Sequence, residues 1–323
     1  MVTATRHRLA SFPTPAAGLA LGIASLGWCW ESSMMPAGGM VQTGAAYIAM
    51  LIALTLLAKF LLNPKVLWNE LAHPVVGSVI PTLAMTWMVI SKTLGMVDET
   101  LGILVWYSAI AMHVGFLLIF IANRARRFHI SHMLPSWFVP PVGLVVGSLT
   151  CPGESCMFTA DLLLQFGIIT YLIMVPLMLF RLIFSEAVMD TAKPTIAILA
   201  APPNLCLAGY LALTPDPSML FVLFMLGIAL LMTAVVYIAF FVLLRLPFSP
   251  AYAAFTFPVV IGATALFKTA GFLAERNIDP VLTQQVEMIA KGELWIATAV
   301  VSYVALRYVM HYLPKPAKPQ AAI

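Results

Sequence analysis

Few residues in this sequence are of a type and spacing that could do chemistry. Cys151 and Cys156 bracket Cys-Pro-Gly-Glu-Ser-Cys, the tightest reactive pair. In an oxidising compartment that spacing could close a small disulfide loop. Cys29 and Cys206 fall inside apolar runs and read as packing residues, and no run has zinc-ligand spacing. Six His and 13 acids are scattered, with no H-E-x-x-H, no G-x-S-x-G and no G-x-x-x-x-G-K. The reading is no enzyme, no cofactor and no metal, with the 19 Met as core filler. Two ionisable groups lie well inside apolar runs, where such groups are functional candidates by default. Lys268 either attracts anions at an outer mouth, snorkels to the interface or pairs with Glu275. His113 reads as a hydrogen-bonded packing residue ahead of a proton relay.

The elements that position these groups follow from composition. Of 323 residues, 62% are apolar and 9% charged, with mean hydropathy +0.98. Soluble domains run near ~45–50% apolar and ~25% charged. A soluble enzyme, a disordered chain and a nucleic-acid binder are excluded. The fold class is all-α integral membrane. Ten runs approach the ~20 apolar residues that a bilayer span needs. They lie near 14–33, 40–62, 75–96, 100–123, 136–152, 160–184, 194–213, 218–244, 250–273 and 288–312. The first reads as a retained membrane helix, since no cleavage-site pattern follows Arg6 and Arg8. Residues 1–323 then form one transmembrane domain, with short cytoplasmic tails at 1–11 and 314–323.

Ten spans place both termini on one side, and the positive-inside rule chooses it. Arg6, Arg8, Lys59, Lys65, Arg124, Arg126, Arg127, Arg181, Lys193, Arg245, Arg307, Lys315 and Lys318 fall on the terminal side. Only Lys92, Lys268, Arg276 and Lys291 fall opposite. Both termini are therefore expected in the cytoplasm, in a cell (inner or plasma) membrane. Arg124, Arg126, Arg127, His129 and His132 form a basic cluster suited to orientation and anionic lipid.

Prolines mark the odd spans: Pro15, Pro81, Pro140 with Pro141, Pro202 with Pro203, and Pro258. The even spans hold almost none, Pro176 excepted. This reads as five helical hairpins, each pairing a broken odd helix with a straighter even one. Broken membrane helices are tolerated where buried or lining a water-filled cavity. Five of them are expected to ring a central pore, with the even helices facing lipid. Residues beside the prolines that could offer donors to an anion are Thr14, Ser78, Thr82, Ser136, Asn204 and Thr256. Each could instead bond back to its own helix.

Five motifs, one on each odd span, carry a family resemblance. They are Phe12-Pro13-Thr14-Pro15-Ala16-Ala17-Gly18-Leu19-Ala20-Leu21-Gly22, Ile80-Pro81-Thr82-Leu83-Ala84-Met85 after His73-Pro74, Leu134-Pro135-Ser136-Trp137-Phe138-Val139-Pro140, Leu199-Ala200-Ala201-Pro202-Pro203 and Ala254-Phe255-Thr256-Phe257. Together they resemble the tellurite-resistance/dicarboxylate transporter family, which includes the plant slow-type anion channels. The resemblance implies ten helices in five hairpins with quasi-fivefold symmetry, a homotrimer with one pore per subunit, and passive or proton-coupled movement of anions. It also implies an aromatic plug on the ninth helix, matching Phe257, with Phe255 as runner-up. Pro258 follows Phe257 where the bacterial pattern has glycine.

Two transport readings follow. One is a passive anion channel with an aromatic gate. The other is a proton-coupled carrier of C4-dicarboxylates or of oxyanions such as tellurite or sulfite. A carrier calls for acids or His facing the cavity, and the odd spans offer few. The expected partners are small inorganic or carboxylate anions and the bilayer, with no nucleic acid.

Overall fold

The computed structural model describes residues 2–34, 37–126 and 128–312. Arg127, Lys315, Lys318 and the expected 314–323 tail lie outside them. The described chain is helical, without strands. Helix closes every backbone hydrogen bond within the segment, which lipid demands.

The α-helices are α1 Val2–Ala10, α2 Ala16–Ser33, α3 Met40–Leu62, α4 Pro64–Ala72, α5 Val76–Val79, α6 Thr82–Gly95, α7 Glu99–Ala125, α8 Val139–Val142, α9 Val145–Leu149, α10 Met157–Phe184, α11 Ala201–Leu213, α12 Met219–Leu243, α13 Thr256–Glu275 and α14 Pro280–Tyr312. Three 3₁₀ segments, Pro135–Phe138, Lys193–Ala200 and Pro250–Phe255, lead into α8, α11 and α13. α1 falls within 1–11, the stretch expected to be a short tail, and is not among the candidate spans. Its Arg6 Nε donates to Asn63 Oδ1 at 3.1 Å.

Among the described residues, seven helical stretches are long and apolar enough to cross a membrane. An eighth is the pair Pro64–Ala72 and Val76–Gly95, bent by 104° at His73-Pro74. The other two expected spans are the 18-residue α2 and the stretch at 136–152. That second stretch is cut into a 3₁₀ segment, α8 and α9, because Pro140 and Pro141 cannot donate to a helix ladder.

Burial separates two sets. The spans containing α3, α7, α10, α12 and α14 bury 28–39% of their most apolar window. Those at Lys193–Leu213 and Pro250–Glu275 bury 72%. The first set presents Leu51, Leu104, Ile173, Leu220 and Phe241 outward, as lipid-facing helices do. The buried helices pack side by side: α2 on α6, α6 on α9, α9 on α11, α11 on α13, and α13 back on α2. Each also packs on the exposed helix next in sequence, as α2 on α3, α6 on α7 and α13 on α14.

Small residues permit these approaches, since association in lipid relies on close packing. A Cβ at Gly22 would stand 2.5 Å from Thr256 Oγ1 on α13. One at Gly102 would stand 2.6 Å from the Gly95 backbone.

Candidate functional site: a proline-framed central cavity

Each proline of the inner helices falls in or just before a first helical turn, where a missing N–H costs least. Pro15 and Pro81 are the N-caps of α2 and α6. Pro140 and Pro141 sit in α8, Pro202 and Pro203 open α11, and Pro258 is the third residue of α13. The chain is therefore broken before these helices more than kinked within them.

The five broken segments meet around a cavity of about 80 Å³. The first contributes Pro15, Gly18 and Leu21; the second Val76, Val79, Thr82 and Met85; the third Phe138, Val142 and Gly143. The fourth adds Thr195, Ile198, Pro202 and Leu205, and the fifth Ala253, Phe257 and Pro258. The volume suits a few waters or one small ion. The wall is almost wholly apolar. The first-turn N–H groups of the inner helices are largely taken up by the turns before them: Ala16, Ala17 and Gly18 donate to the Pro13, Thr14 and Pro15 carbonyls, and Leu83 and Met85 to those of Ile80 and Pro81.

Phe257 and Phe255 part company here. Phe257 borders the cavity. Phe255 is fully buried away from it, 5.3 Å from the Phe240 ring and 4.8 Å from Tyr252. Among the prolines, Pro15, Pro202 and Pro258 line the cavity, while Pro81, Pro140, Pro141 and Pro203 do not.

Of the six polar candidates only Thr82 borders the cavity, and its hydroxyl donates to the Val79 carbonyl at 2.7 Å. The other five turn away. Ser78 donates to Val75 O and to Ser136 Oγ, both at 2.7 Å. Asn204 Nδ2 donates to Ala200 O and Thr233 Oγ1. Thr256 donates to Gly18 O at 3.0 Å and to Ala253 O at 2.8 Å. Thr14 donates to Glu70 Oε2 at 2.6 Å. A buried hydroxyl in lipid takes the nearest carbonyl or carboxylate, which here belongs to its own or a neighbouring helix.

Other side chains satisfy carbonyls of the inner segments. His113 Nε2 donates to Pro140 O at 2.8 Å, at the interruption before α9. Trp106 Nε1 reaches Gly147 O at 3.0 Å, and Trp137 Nε1 reaches Pro74 O at 3.2 Å. Thr86 donates to Ala17 O at 3.1 Å. At the start of α2, Lys59 Nζ holds Phe12 O at 3.0 Å, Thr14 Oγ1 at 2.7 Å and Glu70 Oε1 at 2.6 Å.

Lys268 is half-buried on α13 and makes no ion pair among the described residues; Glu275 is exposed and separate from it. Its electrostatic neighbours are Lys92 and Cys29. Cys151 and Cys156 are free thiols, Cys151 Sγ facing Gly153 O at 3.3 Å. No cluster of His, Cys, Asp or Glu among the described residues could hold a metal.

Sequence reading missed Phe138, Thr195 and Met85 in the wall, and the Lys59–Glu70 pair behind it. Phe138 stood in a quoted motif, but nothing in its type separated it from other aromatics. The pair joins residues of opposite charge 11 apart, across a helix break that spacing alone does not reveal.

Buried, broken helices inside a jacket of apolar ones define a multi-pass membrane protein. The chain belongs to the voltage-dependent anion channel (SLAC1) family, whose model matches residues 11–309. The family's members are channels or transporters. Two relatives come from Methanocaldococcus jannaschii. The uncharacterized transporter MJ0762 is 28% identical over 240 residues, covering 65% of this chain and 69% of its own. The uncharacterized transporter MJ0576 is 24% identical over 276 residues, covering 76% and 79%.

Proposed function

We propose that the protein is a passive channel for small anions, not an enzyme, with the central cavity as its path and Phe257 as its gate. The observation that carries this reading is the placement of Phe257 in a cavity framed by all five broken segments. An apolar constriction stops ions by occlusion or dewetting. Anion preference comes from the helix starts around it. A weak, distributed site suits conduction, because an ion held tightly does not leave. No acid or His is among the residues that border the cavity, which favours the channel over a proton-coupled carrier.

The same reading takes the chain as ten spans in five hairpins with quasi-fivefold symmetry. The closed ring of α2, α6, α9, α11 and α13 supports it. Both termini are placed in the cytoplasm by the basic residues, and the subunit assembles as a homotrimer with one pore each. Lys268 sits at the outer mouth, 11 residues beyond Phe257. Chloride efflux from liposomes tests the gate. Phe257→Ala accelerates efflux, whereas Phe255→Ala in a folded protein does not.

A further inference from the structure

Two lysines continue the cavity-facing stripes of the inner helices. Lys268 follows Phe257 by 11 residues on α13, three helical turns, so it points within about 20° of Phe257 and lies about 16 Å further along. Lys92 follows Met85 by seven residues on α6, two turns, again within about 20° and about 10 Å further. Phe257 and Met85 both border the cavity. Both lysines are half-buried, and they lie within electrostatic range of each other.

Neither has an acidic partner among the described residues. Lys92 donates to the Cys151 carbonyl at 3.4 Å, and Lys268 makes no hydrogen bond or ion pair there. Glu275, at the end of α13, is exposed and makes no ion pair with Lys268, and two further acids near these helix ends are engaged elsewhere. Glu31 accepts the N–H groups of Ala37, Gly39 and Val41 at 2.6–2.9 Å, and the Glu99 carboxylate lies against Gly153. Two ammonium groups within electrostatic range of each other and half out of water repel, and each has lost hydration. An anion between them relieves both costs.

We propose that Lys92 and Lys268 form an anion-binding site in the vestibule between the cavity and the C-terminal ends of α6 and α13, selective for small divalent anions. Two point charges on separate helices are matched by a dianion, whereas a halide neutralises only one. The site's place on the permeation path rests on the channel reading; its occupancy by an anion does not.

The test is calorimetric titration of the purified full-length protein with sulfate and malate, against chloride. Sulfate binds saturably, malate competes with it, and chloride binds more weakly. Lys92→Gln and Lys268→Gln each weaken sulfate binding roughly tenfold or more. The double variant removes it, and Lys268→Arg retains it. Lys92 is half-buried and its Nζ bonds the Cys151 carbonyl at only 3.4 Å, so Lys92→Gln decides the matter if Lys268→Gln does not fold. Absence of saturable sulfate binding to folded protein, or its survival in the double variant, overturns the site. Binding without any conductance leaves the site standing and overturns the channel.

Discussion

Lys59 and Glu70 form an ion pair at 2.6 Å that is nearly closed to solvent on the lysine side. Thr14 bridges them, accepting from Lys59 and donating to Glu70. The pair thus ties α3 and α4 to the residue before Pro15, where α2 enters the cavity wall. An uncompensated buried charge is costly, so Glu70→Ala destabilises the fold by about 3 kcal/mol. Denaturant unfolding in detergent, followed by tryptophan fluorescence, measures it. The double variant Lys59→Met with Glu70→Leu recovers most of that loss.

Gly22 lies where α2 approaches α13 closely. A Cβ there collides with Thr256, whose hydroxyl already holds Gly18 O. Gly22→Val forces the helices apart and costs about 1–3 kcal/mol. Gly44, whose Cβ position is open, tolerates the same exchange. Thermal melts of the two variants, compared side by side, separate them.

Cys151 is partly accessible and free, whereas Cys156 is fully buried. A membrane-impermeant maleimide applied to the outer face of intact cells labels Cys151 without prior reduction. Labelling that appears only after reductant would establish the disulfide to Cys156 instead. Labelling only from the inner face would reverse the proposed orientation.

Much of the fold was legible because lipid simplifies the physics. Apolar runs of span length and prolines concentrated in alternate runs, Pro176 excepted, separated the buried helices from the exposed ones. The 136–152 run showed where that logic stops. Its Pro140-Pro141 pair divides it into short pieces, which a hydropathy reading merges into one span. The site was legible in outline only. Phe257 and Phe255 are two residues apart and chemically identical, so only helix packing tells which one meets the cavity. Thr14 and Thr256 looked like donors to a bound ion because their partners, Glu70 and Gly18, are distant in sequence. Lys59 counted in the sequence only as a charge of the terminal side, and nothing joined it to Glu70 until the break at Asn63 between α3 and α4 came into view.

The most direct measurement is planar-bilayer recording of the purified protein beside Phe257→Ala under a potassium chloride gradient. The account predicts a reversal potential toward the chloride equilibrium value in both proteins, and a current about tenfold or more larger in the variant, as expected when an apolar plug is removed from a conducting path. Equal currents from two folded proteins would contradict the gate, and no anion current from either would contradict the channel itself.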